Sequence, residues 1–85
     1  MVIWKYSLDE HFQEVEIPLA GKVIHVGQQG GAPTIWAIVD PEQQSHVRRF
    51  YVVATGGVVP TPAVYHGTVQ MPSGLVWHIF EGGHA

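Results

Sequence analysis

The chain has 85 residues and a mass of 9.4 kDa, which is room for one domain and one core. Charged residues make up 13% of it, about half the ~25% usual in soluble domains, while hydrophobic residues make up 46%. A net charge of −3, four basic residues and no Cys argue against general nucleic-acid or acidic-membrane binding and exclude disulfides, thiolate metal sites and a Cys nucleophile.

Gly and Pro punctuate the chain at short intervals, and the stretches between are rich in β-branched and aromatic residues. Val2 to Tyr6 reads as a first strand. Ser7 to Phe12 carries cap-like residues but is too short for a useful helix. Gln13 to Ile17 alternates polar and apolar positions and stops at Pro18, which has no N–H for a ladder. Lys22 to Gly27 is a third strand. The segment from Gln28 to Pro33 reads as a long hairpin loop whose glycines need positive φ, and Thr34 to Val39 as the fourth strand. The glycines of this loop are no phosphate cradle, because GxxxxGK[ST] is missing and a strand follows instead of a helix.

Val47 to Ala54 is a fifth strand, and the two prolines between Val58 and Pro62 predict an irregular or edge segment. Ala63 to Met71 is a sixth strand, turned by Pro72-Ser73-Gly74 into a seventh from Leu75 to Glu81. Residues 1–81 are therefore expected to form a single β domain, with 82–85 as a flexible C-terminal tail. The expected fold is all-β, a small antiparallel barrel or sandwich of about six to seven short strands.

Strict alternation sorts one face of a sheet to the core and the other to water. The sixth strand obeys it, with Tyr65, Val69 and Met71 on one side and His66, Thr68 and Gln70 on the other. Three strands do not. Trp36 and Ile38 oppose Ile35, Ala37 and Val39; Phe50, Val52 and Ala54 oppose Tyr51 and Val53; Leu75, Trp77 and Ile79 oppose Val76, His78 and Phe80. One small core does not bury both faces of three strands, so the pattern predicts a homo-oligomer, a dimer or higher.

Six histidines fall at 11, 25, 46, 66, 78 and 84 without HxH or HExxH spacing, so no metal site is predicted. His66 and His78 sit in neighbouring strands, where a suitable register would let them face each other. Serines lie in polar turns without an elbow motif, and no acid–base pair is legible, so no catalytic residue and no cofactor are predicted. The most informative pair is Arg48-Arg49, the only arginines, in a strand otherwise made of Val47, Phe50, Tyr51, Val52 and Val53. Adjacent strand residues point to opposite faces, so one guanidinium must face an apolar side and needs a partner. Asp40, Glu81, a neighbouring subunit and a bound anion all stand as candidates. With Trp36, Tyr51, Tyr65 and His66 for stacking and hydrogen bonding, Arg48 and Arg49 compose an expected ligand site for a nucleotide-like anion.

The segments Val2-Ile3-Trp4-Lys5-Tyr6-Ser7-Leu8, Ile24-His25-Val26-Gly27-Gln28-Gln29, Trp36-Ala37-Ile38-Val39-Asp40, Tyr65-His66-Gly67-Thr68-Val69-Gln70 and Leu75 to Glu81 together resemble a family of small phage and prophage proteins of unknown function. The resemblance spans nearly the whole chain and carries over no catalytic residues. It implies an accessory protein made in the cytoplasm of an infected bacterium. That agrees with the absence of a signal layout at Met1 to Leu8 and of any apolar run near the ~18 residues of a membrane span. In that setting the expected function is non-enzymatic counter-defence, by sequestration of a cyclic or other signalling nucleotide. The alternatives are a protein inhibitor that binds a host defence protein, and a virion or assembly component.

Overall fold

The computed structural model describes residues 1–82, and every regular element in it is a β-strand. The strands are β1 (Val2–Ser7), β2 (Phe12–Pro18), β3 (Lys22–Gln29), β4 (Ala32–Val39), β5 (Ser45–Ala54), β6 (Ala63–Gln70) and β7 (Val76–Gly82). They form two antiparallel sheets, one of three strands in the order β1-β4-β3 and one of four in the order β2-β5-β7-β6. The result is a sandwich and not a closed barrel, because each sheet keeps its own two edges.

Each sheet turns one set of alternating residues to a shared core. β4 gives Ile35, Ala37 and Val39, all fully buried, while Trp36 and Ile38 of the same strand point outwards. From the other sheet, Val15 and Ile17 of β2, Phe50 and Val52 of β5, Val69 of β6 and Ile79 of β7 meet them. Leu8, in the connection after β1, is also fully buried, and its N–H donates to the Pro33 carbonyl at 2.8 Å. It plugs one end of the core. The polar residues Ser7 to Gln13 serve that connection instead of a helix: the Gln13 Oε1 accepts the N–H groups of Asp9 and Glu10.

Three local expectations change. Gln29 pairs with Ala32, so the β3–β4 connection is a two-residue turn of Gly30 and Gly31, with φ of 61° and 83°, and not a long loop. Positive φ at both positions suits the right-handed twist of a hairpin and is open to Gly at no steric cost. Gly82 belongs to β7, paired with Ala63, and not to a tail; the remaining expected tail residues, 83–85, lie outside the described residues.

The third change reorients a side chain. The register of β6 against β7 slips between Tyr65 and Gly67, a bulge that places one extra residue in β6. Alternation therefore breaks there. Tyr65 and Thr68 end on the outer face, joined by a side-chain hydrogen bond, and His66 turns inwards with Val69, opposite to the expected sorting. Gly67 marks the place for a reason: a Cβ on it would stand 3.1 Å from the Val26 side chain, tighter than ordinary contact, so Gly eases the approach of β6 to β3 where the two sheets meet.

The core makes a clear demand on Phe50, the largest of the fully buried side chains. Phe50→Ala is expected to destabilise the domain by about 3–5 kcal/mol in urea unfolding. Val58→Ala, at a side chain 91% exposed, is expected to change it by less than about 0.5 kcal/mol.

Candidate functional site

Arg48 is the arginine that faces inwards, on the same side of β5 as Phe50. Its Nε and Nη2 donate to Glu81 Oε2 and Oε1 at 2.6 and 2.7 Å, and its Nη1 donates to the Gly21 carbonyl at 2.6 Å. All three guanidinium nitrogens are thereby engaged, two of them in the bidentate geometry that Arg–carboxylate pairs favour. The bulge in β6 brings His66 to the same carboxylate, where Nε2 lies 2.9 Å from Glu81 Oε1. A carboxylate accepts only, so this nitrogen carries the proton. The cluster sits against the core, with the guanidinium 5.9 Å from the Phe50 ring centroid.

Burial by itself pushes the Glu81 carboxyl up. Hydrogen bonds from Arg48 and then His66, together with their charges, outweigh it and hold the group at about 2, below its ordinary 4.5. Tyr6 approaches from β1. Its hydroxyl is buried and has no hydrogen-bond partner among the described residues, and burial raises its pKa while the Arg48 charge opposes the rise.

Arg49 points the other way, to the outer face of the four-stranded sheet. It faces Glu14 across the β2–β5 ladder, with Nε 3.4 Å from Oε2 in a solvent-exposed pair. Beside it, a row of rings crosses all four strands. Phe12 packs on Tyr51 with centroids 5.1 Å apart, Tyr51 is the register partner of Phe80, and Phe80 packs on Tyr65 at 5.4 Å. Phe12 and Tyr65 are largely exposed. The Tyr51 ring crosses the backbone of Gly82, where a Cβ would stand 2.5 Å from its Cε2; the small residue at the end of β7 leaves room for the ring. Below the row, a chain of side-chain hydrogen bonds links Tyr65, Thr68, His78 and Thr55.

The six residues expected to form one site therefore separate. Arg49, Tyr51 and Tyr65 share the outer face of the four-stranded sheet. Arg48 and His66 lie inside, and Trp36 lies on the outer face of the other sheet against His25, with centroids 5.4 Å apart. Glu81, one of the partners the sequence left open for Arg48, is the one the fold supplies. Phe12 and Phe80 are the ring residues that sequence reading missed, because their alignment with Tyr51 and Tyr65 depends on cross-strand register. His66 and His78 fall on opposite faces and do not meet. Among the described residues no group of three or more His, Asp or Glu is placed to hold a metal ion.

A hollow of about 270 Å³ beside the ring row is lined by Val53, Thr55, Val59, His78 and Phe80, and another concavity lies at the end of the sandwich plugged by Leu8. This cleft of about 420 Å³ is lined by Asp9, Glu10, His11, Pro33, Val52 and Trp77 among others. Two carboxylates and no Lys or Arg make it a poor receptor for an anion.

These features define a small antiparallel β-sandwich with an internally neutralised arginine and an open aromatic sheet face. The chain belongs to the DUF7352 family, a domain of unknown function whose model matches residues 1–85. No curated protein matches it, and no solved structure does.

The depressed carboxyl of Glu81 sets a sign for acid stability. Its folded-state pKa lies below its unfolded one, so its contribution is fully present above about 4.5 and is lost as pH falls from there through about 2. In Glu81→Gln, urea midpoints measured across that window are expected to vary less with pH than in the parent. At neutral pH the variant is expected to lose about 3 kcal/mol, since it leaves a buried guanidinium without its anion.

Proposed function

We propose that this protein is a non-enzymatic binding protein whose working surface is the outer face of the four-stranded sheet, and that it sequesters a ring-bearing anion of the nucleotide class. The observation that carries the reading is the meeting, on one open face, of a four-ring row with the arginine that the core does not consume. An exposed ion pair such as Arg49–Glu14 contributes about 0–1 kcal/mol, so a phosphate replaces the Glu14 carboxylate at small cost. The rings offer stacking to a base at about 1–3 kcal/mol each. The resemblance to phage and prophage proteins supports a counter-defence setting in the bacterial cytoplasm, with a cyclic or other signalling nucleotide as the ligand.

Catalysis lacks support. The nearest thing to a nucleophile–base pair is Thr55 with His78, at 2.9 Å, and the second ring nitrogen of His78 meets Thr68 instead of a carboxylate. Among the described residues no carboxylate backs that histidine as a base.

A second reading, a protein inhibitor of a host defence protein, is favoured by shape. Small-molecule sites are concave and bury most of their ligand. An open sheet face rich in aromatic rings and poor in lysine has the make-up of a protein–protein contact.

Calorimetric titration with AMP, NAD, cyclic di-AMP, cyclic di-GMP and cyclic ADP-ribose separates the two. On the first reading at least one binds, and Arg49→Ala and Tyr51→Ala each weaken it by about tenfold or more, which corresponds to ~1.4 kcal/mol. No heat from any of the five, with the protein shown to be folded, removes the nucleotide and leaves the protein partner. Binding that neither substitution alters places the ligand away from this face.

A further inference from the structure

Two sheets have four edges, and three of them are covered or guarded. β3 and β6 come together where the sheets meet, with Gly67 against Val26. β2 displays Glu14 and Glu16 and ends in Pro18, the kind of charge and proline that discourages another strand from adding. β1 has one such device, Lys5, and its ammonium reaches across the sheet to Gln29 of β3 instead of standing over the edge. The strand pairs with β4 over all six residues without a register shift, contains no proline, and carries no other charge. Its apolar side chains remain in water: Val2 is 42%, Ile3 59% and Trp4 43% exposed. Among the described residues no strand pairs with its free edge.

We propose that β1 is a self-association edge, on which a second copy of this chain adds its own β1 antiparallel across a two-fold axis. The two three-stranded sheets then fuse into one of six strands, in the order β3-β4-β1-β1-β4-β3. A second copy is the occupant because the strand is complementary to itself. Residues opposite each other must lie on the same face of the joined sheet, which leaves few registers. Centring on Trp4 sets Trp4 against the partner's Trp4, Ile3 against the partner's Lys5, and Val2 against the partner's Tyr6. Tryptophan then pairs with tryptophan, and the two lysines stay apart. Centring on Lys5 opposes like charges, which destabilises a ladder. Centring on Ile3 pairs only Val2 to Trp4, fewer residues than the strand offers.

The pairing gives a homo-oligomer by a different route from the two-faced strands, because it places contact at an edge and leaves the outer faces of β4, β5 and β7 uncovered. The four-stranded sheet plays no part in it, so the outer-face reading stands or falls separately. A strand of six residues is about 20 Å long, and joining two such edges buries on the order of 500 Å² on each partner, short of the ~800 Å² of a standard interface. The expected product is a dissociable dimer.

Sedimentation velocity on the full chain, from about 10 µM to about 1 mM, is expected to shift from the 9.4 kDa monomer towards twice that mass. Trp4→Lys is expected to weaken association by at least tenfold, and Tyr65→Lys, on the other sheet, to leave it unchanged. Because the chain has no cysteine, the register is open to a direct reading. Oxidised Trp4→Cys is expected to form a disulfide dimer well ahead of Ile3→Cys or Lys5→Cys. Wild-type hydrogen exchange gives a readout independent of any variant, with β1 amides gaining protection as concentration rises. A chain that stays monomeric at about 1 mM with no such protection overturns the proposal and leaves the edge to a strand from another protein. A dimer that Trp4→Lys leaves intact, or one that cross-links through Ile3→Cys first, overturns it as well.

Discussion

A β-strand offers every second residue to one side, and a chain of 85 residues has one core in which to bury them. This constraint organises the molecule. Seven strands divide into two sheets so that each buries a single face, and the shared interior accepts Ile35, Ala37 and Val39 from one sheet and Phe50, Val52 and Ile79 from the other. What the core does not take is left outside, including apolar residues that alternation alone does not explain. Trp36, Ile38, Tyr51, Val53 and Phe80 all belong to strands whose other face is already spent. The outer faces therefore carry the aromatic and apolar residues that the core leaves over.

The same constraint sets the terms for Arg48. Its position on β5 has the parity of Phe50, so its guanidinium points towards the core, where an unpaired charge is costly. The fold answers with Glu81 in bidentate contact, the Gly21 carbonyl, and His66 on the far side of the carboxylate. The last contact exists because β6 takes an extra residue at its bulge. One local irregularity thus does two things: it turns His66 inwards to complete the cluster and leaves Tyr65 outside at the end of the ring row. Arg48 becomes part of the structure, and Arg49, one residue on, faces Glu14 on the outer side of the sheet.

Surface functions follow from which parts of the sandwich remain unspent. The aromatic row lies on the four-stranded sheet and the lightly guarded edge strand β1 on the three-stranded one. A ligand or partner on the first and a second copy on the second do not compete for the same residues. A DUF7352 domain that dimerises through β1 therefore presents two aromatic faces, one from each copy.

Much of this was legible in the sequence for simple reasons. Runs of β-branched and aromatic residues separated by Gly and Pro specify seven strands whatever their arrangement, because the strand period and turn chemistry are local. The scarcity of charge and the doubled apolar faces were legible too, since they need only a count. Site geometry was not. Arg48 and Arg49 look equivalent as neighbours in the chain, and only cross-strand register decides that one meets Glu81 and the other faces Glu14. Phe12 and Phe80 join Tyr51 and Tyr65 through pairings between strands far apart in the chain. His66 changes sides through a bulge for which the sequence offers one sign, Gly67. Local chemistry determined that this chain is an antiparallel β protein with apolar residues to spare. Tertiary structure decided which of them, and which arginine, the core consumes, because burial depends on the partner across the sheet and not on the neighbour along the chain.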